Sequence, residues 1–171
     1  GGIVAGGENE AGECGVGDGA DRTLGAPCVR TPVAVAGFPG ACVQLACGDH
    51  HCLALVQDGS VTAVYSWGEG SYGRLGHGTR AGERAPRWVE GLQAAGRVVR
   101  VAAGGATSAA VGDAGGLWTW GGSGFGMCGH GLPAPGPAGA AAEVLEPTRV
   151  AALGAGDGLG TSSIALAGGG A

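Results

Sequence analysis

Six cysteines and four histidines are the side chains that could do chemistry in this 171-residue chain, and their spacing decides what kind. Cys47, Asp49, His50, His51 and Cys52 hold metal-ligand types side by side. Zinc needs about four convergent ligands. Neighbours on a strand alternate between faces, and neither a second cluster nor a C-x-x-C pair supplies the missing ligands. Cys14 and Cys128 fall where a matching segment has Leu75, and Cys47 and Cys52 where another has Ala103 and Ser108. All four are therefore expected as buried structural thiols, while Cys28 and Cys42 have no phased partner. Ser108, Ser162 and Ser163 lack the His and Asp of a nucleophile elbow. Gly-rich blocks that suggest a phosphate cradle lack both a Walker Lys and a following helix, and the chain contains no Lys at all. No enzyme activity, metal or other cofactor is expected of these residues.

The elements that carry them repeat. GENEAGECGVG (7–17), GEGSYGRLGHG (68–78) and GGSGFGMCGHG (121–131) share glycines at four positions, Gly7/Gly68/Gly121, Gly12/Gly73/Gly126, Gly15/Gly76/Gly129 and Gly17/Gly78/Gly131. After a gap of variable length, read as a loop, each is followed by P-x-x-V, at Pro32–Val35, Pro86–Val89 and Pro147–Val150. Next come VQLACGDH (43–50), VRVAAGGA (99–106) and IALAGGGA (164–171), short apolar stretches ending in glycine. HCLAL and TSAAV continue the first two, and an Asp-Gly turn leads into VYSWG. Short alternating stretches bounded by glycine read as strands joined by tight turns. No sustained helical period is present, although AGAAAEVLE (138–146) has the composition for a turn or two. The chain divides into repeat units 1–59, 60–114 and 115–171, phased as a piece of a longer array. A period above forty with about four strands is the signature of a propeller blade.

Composition narrows the partner. The chain holds 41 Gly and 8 Pro, which would suggest disorder or a fibre if the glycines did not recur at long intervals. No apolar run approaches the roughly 20 residues of a membrane helix. All nine basic residues are scattered Arg and the net charge is -5, so no footprint for nucleic acid or anionic lipid is visible. Cysteines at core-equivalent positions fit a reducing compartment, cytoplasm or nucleus. Trp67 aligns with Trp120 and Tyr65 with Trp118, rings expected to pack between blades, and His77 and His130, each in G-H-G, are expected to serve a turn or an inter-blade hydrogen bond. Trp88 has no aligned aromatic. It lies in P-R-W-V with Arg84 and Arg87 nearby, a composition favoured at protein-contact hot spots, with a core position as the alternative.

GEGSYGRLGHG, Pro86–Val89, VQLACGDHHCLAL and YSWG together resemble the repeat of the chromosome-condensation regulator family. The resemblance covers essentially the whole chain and implies an all-β propeller, usually seven-bladed, of four-stranded antiparallel blades. Three units cannot close such a ring, so a segment of a larger propeller, unstable or aggregation-prone by itself, is expected. The resemblance implies a non-catalytic scaffold for other proteins, using the insertions 18–31, 79–85 and 132–146, sometimes beside an appended ubiquitin-ligase or kinase domain. It also implies an alternative, guanine-nucleotide exchange on a Ran-type small GTPase, for which Asp18, Asp21 and Glu83 are the acidic candidates. Ultraviolet sensing is a weaker alternative, because GDHHC and GGATS stand where G-W-R-H-T is expected.

Overall fold

In the computed structural model, residues 2–17, 28–131 and 142–151 are described. Among the described residues, ten strands form three antiparallel sheets. β1 (Ile3–Glu8) pairs with β2 (Cys28–Val35). β3 (Ala41–Cys47), β4 (His51–Asp58), β5 (Val61–Gly68) and β6 (Glu83–Trp88) form a four-stranded sheet in that order. β7 (Val98–Gly104), β8 (Thr107–Gly112), β9 (Leu117–Gly122) and β10 (Glu143–Arg149) form a second. Each four-stranded sheet is a meander, the blade expected from the repeat.

The β4 sequence shows why the blades stack. Leu53 and Leu55 face the second blade and join Val64, Val101, Ala110 and Trp120 in one core. Ala54 and Val56 point the opposite way and meet Trp67 and Phe38 beside the first sheet. A strand covered on both faces reads as a continuous apolar run, which HCLALV is. Asp58 pairs with Val61 around Gly59, whose φ of 58° suits the tight hairpin turn. The connector from β6 to β7 adds Val89, Leu92 and Ala95 to the inter-blade core.

Between blades, an indole docks on the Gly-rich block of its predecessor. The Trp67 Nε1–H donates to the Glu13 carbonyl at 2.8 Å, and the Trp120 Nε1–H to the Arg74 carbonyl at 2.9 Å. Both rings are buried. Burying such a ring removes on the order of 150–250 Å² from water, about 4–6 kcal/mol before entropy. The rings fit because Gly15 and Gly76 have no Cβ. One built there would lie 2.7 Å and 2.8 Å from the respective indole nitrogens. All twelve matched glycines have positive φ, which accounts for their recurrence in register.

The structure alters several expectations. Glu143–Glu146 of the proposed helical turn belong to β10, where Glu143 pairs with Gly122 and Val144 with Gly121. The 79–85 insertion is not all loop, since β6 begins at Glu83, and Cys28–Arg30 of the 18–31 insertion open β2. Among the described residues there are short 3-10 segments at Ser71–Gly73, Glu90–Ala95 and Gly124–Gly126. Cys14 and Cys128 are buried, but Cys47 is exposed and Cys52 half-buried, because the preceding sheet consists of β1 and β2 alone among the described residues and does not cover this face as the first four-stranded sheet covers Ala103 in the second. Asp18, Asp21, Ser162, Ser163 and the stretch 164–171 lie outside the described residues.

Candidate functional site

Three side-chain pairs have the composition of a nucleophile and its base. The His51 Nε2 is 2.8 Å from Ser108 Oγ, His77 Nε2 is 2.9 Å from Ser66 Oγ, and His130 Nε2 is 2.8 Å from Thr119 Oγ1. In each pair the hydroxyl gives its one proton to a backbone carbonyl: Arg74 at 2.7 Å, Leu75 at 2.8 Å and Cys128 at 2.6 Å, respectively. The oxygen then accepts from the imidazole Nε2–H, and all three hydroxyl residues are buried. These are structural ties. The G-H-G histidines brace the turn within their own blade, whereas His51 makes the bond between blades. Burial pushes His51 and His77 down to about 4, aided by the nearby positive charges of Arg74 and Arg87, so both are neutral at pH 7.

The surface expected to meet a partner is a groove of about 340 Å³ at the outer side of the blade boundary. Four elements build it. The Gly-rich block contributes His77, the end of β6 contributes Arg87 and Trp88, the 3-10 connector brings Glu90 and Gln93, and β10 brings Glu146. Trp88 is placed by strand alternation. The next residue, Val89, is buried with its N–H on the Val64 carbonyl at 2.8 Å, so the indole turns outward and is 42% exposed. Arg87 Nη1 lies 2.7 Å from Glu83 Oε1.

Of the residues singled out in the sequence, Trp88 and Arg87 come together in this groove and Glu83 stands behind Arg87. Arg84 is on the same strand, with its Nη2 3.3 Å from the Glu10 carbonyl of the first Gly-rich block. Glu90, Gln93 and Glu146 carry no motif and were not anticipated. Their only sequence signal is a polar side chain beside a buried Val89 or a conspicuous P-x-x-V.

Comparison with known proteins places these features. The family model described as the regulator of chromosome condensation (RCC1) repeat matches residues 1–55 and 63–111, and a second model of that repeat matches 42–74. The chain is 52% identical over 83 residues to the E3 ubiquitin-protein ligase HERC2 of Homo sapiens, covering 48% of this chain and 2% of HERC2. It is 36% identical over 102 residues to the Ultraviolet-B receptor UVR8 of Arabidopsis thaliana, covering 59% of this chain and 22% of the receptor. The crystal structure of Prp20p from Saccharomyces cerevisiae superimposes with a TM-score of 0.69 and 27% identity, over 87% of this chain and 34% of that chain. The chain thus spans a minor part of each of these proteins.

Proposed function

The chain belongs to the regulator of chromosome condensation repeat family, and on that premise we propose that it is a propeller segment that binds another protein and performs no chemistry itself. The observation that carries this reading is the groove at the blade boundary, where an exposed indole and a guanidinium stand together on rigid strands. Trp and Arg dominate protein-contact energetics because each joins a large apolar surface to hydrogen-bonding capacity. Glu90 and Glu146 give the groove acceptors for a basic group on the partner. The net charge of -5 disfavours nucleic acid and anionic membrane as the target. Trp88→Ala and Arg87→Ala should each weaken capture of the partner by about tenfold or more. Both side chains are about half exposed, so thermal unfolding should change far less than capture does. Undiminished capture by both variants would remove the groove from the interface.

A second reading, nucleotide exchange on a small GTPase, draws support from the likeness to Prp20p, a protein whose binding to Gsp1p and histones was studied with its structure. Acidic loop groups would compete for the GTPase's phosphate-binding lysine. Asp18 and Asp21 lie outside the described residues, and Glu83 is held by Arg87, so it would have to exchange partners to act. Release of labelled GDP from a Ran-type GTPase tests this. No acceleration at micromolar protein ends the exchange reading. It leaves the binding reading in place.

A further inference from the structure

Away from the groove, two thiols face each other across the innermost hairpin. Cys47 closes β3, Cys52 is the second residue of β4, and the two are register partners. The Gly48 N–H donates to the His51 carbonyl at 2.9 Å, making 48 and 51 the hydrogen-bonded pair and 47 and 52 the non-hydrogen-bonded pair that follows. In such pairs the Cα atoms stand about 4.5 Å apart and the side chains lean together. That separation is at the short end of the range disulfides span, about 4.4–6.8 Å. The two sulfurs are 3.3 Å apart and both are free thiols. Bonding them needs side-chain rotation and little backbone movement.

We propose that Cys47 and Cys52 form a thiol-modification site, a reversible dithiol–disulfide pair oxidised by low-molecular-weight disulfides, with Cys47 attacking and Cys52 resolving. Their environments divide the roles. Cys47 is exposed and open to attack a reagent, while Cys52 is half-buried with its sulfur 3.6 Å from the Glu13 carbonyl. The hydrogen bond from Cys52 stabilises the Cys47 thiolate and brings it down to about 7, against the opposing effect of burial. The same bond and burial push Cys52 up. At neutral pH a larger share of Cys47 is ionised than of an ordinary thiol. Its lower nucleophilicity offsets part of that, leaving a net advantage of roughly a few-fold.

The steps balance. The Cys47 thiolate attacks one sulfur of RSSR, whose S–S bond breaks, and RS⁻ leaves and takes up a proton from water. Cys52 then loses its proton to water and its sulfur attacks Cys47 Sγ, breaking the mixed disulfide and expelling a second RS⁻. The protein gives up two electrons and two protons, and RSSR becomes two RSH. The resulting cross-link clamps the turn whose Asp49 N–H donates to the Gly105 carbonyl of the next blade at 3.1 Å, so oxidation stiffens a blade-to-blade contact.

The second blade supplies the control. Ala103 and Ser108 are register partners at the equivalent positions, a version of the hairpin without thiols. Cys47→Ala and Cys52→Ser therefore introduce residues this hairpin already accommodates. The full chain is exposed to glutathione disulfide at neutral pH, quenched, digested and read by mass spectrometry. Expected are a Cys47–Cys52 disulfide lighter by two hydrogens and reversed by dithiothreitol, arrest of Cys52→Ser at one glutathione on Cys47, and a drop of roughly a few-fold in the rate at this hairpin in Cys47→Ala. A hairpin that stays reduced, a stable glutathione adduct on the unsubstituted chain, or an adduct on Cys52→Ser spread equally over Cys28 and Cys42 would overturn the proposal. Equal rates in Cys47→Ala and the unsubstituted chain would do the same.

Discussion

The carboxamide of Gln44 stands in for a missing strand against Val101. Its Nε2 donates to the Val101 carbonyl at 2.8 Å and its Oε1 accepts from the Val101 N–H at 3.1 Å. β7 is an edge strand, so these groups have no ladder partner on that side, and Val101 is almost fully buried. An unpaired buried donor or acceptor costs about 1–3 kcal/mol. Gln44→Ala should accordingly destabilise the chain by about 2–3 kcal/mol in urea unfolding. Gln44→Glu should cost at least as much, since a carboxylate cannot donate to the carbonyl. A loss below about 0.5 kcal/mol in both would mean that water replaces the amide.

The matched glycines allow a cleaner comparison. Gly76 has φ 76° and a Cβ there would meet the Trp120 indole at 2.8 Å, whereas Gly129 has φ 70° but its nearest neighbour would be Val150 Cγ1 at 3.6 Å. Gly129→Ala should cost about 1 kcal/mol from backbone strain alone. Gly76→Ala should cost about 3 kcal/mol or more, because the ring must also move. Equal losses, measured by denaturant titration, would show that packing contributes nothing.

Acid should unfold the chain through its histidines. His51 and His77 both fall from 6.5 to about 4 on folding, chiefly by burial. The unfolded chain therefore takes up protons first. The stability these two groups contribute is complete above about 6.5, declines as pH falls toward 4, and levels off below. For the more enclosed His51 the full shift corresponds to about 3 kcal/mol, and solvent screening makes the His77 share smaller. Unfolding free energies at closely spaced pH values between 7 and 4 check this. His51→Thr, which introduces the residue found at Thr107, should flatten the decline.

The bond between His51 and Ser108 crosses the blade boundary, so a double-mutant cycle isolates its contribution. Ser108→Ala removes the acceptor for the imidazole and the donor to the Arg74 carbonyl. Combined with His51→Thr, the coupling energy should be about 1–2 kcal/mol. Strict additivity would place the two side chains in independent environments.

Much of this architecture is written in residues that recur. The four glycine columns were legible because each copy needs positive φ at the same point of the turn, and Gly15 and Gly76 also make room for a ring. Trp67 and Trp120 were legible as packing residues for the same reason. Outer strands β6 and β10 were not, since Pro, Glu and Arg at an exposed edge hide the alternation that marks β4. Gln44 left no signal because its counterpart is Arg100, an unrelated side chain. The groove was half legible. Trp88 and Arg87 announce themselves by composition, but Glu90, Gln93 and Glu146 reach it from two further elements, and only the fold brings them together. The Cys47–Cys52 pair depended on hairpin register, which places the first and last residues of a short turn opposite each other.

The indole docking on the Gly-rich block of its predecessor gives the two four-stranded blades a direction. The β3–β6 blade carries a plug on one flank, Trp67, and on the other a socket that takes Trp120, a heterologous, head-to-tail contact that must either close into a ring or run on as a filament. Any cut made between blades leaves complementary ends on the two pieces. Fragments separated at such a boundary should therefore recombine in one orientation only, and a blade duplicated or deleted whole should disturb the curvature of the array without disturbing a single joint.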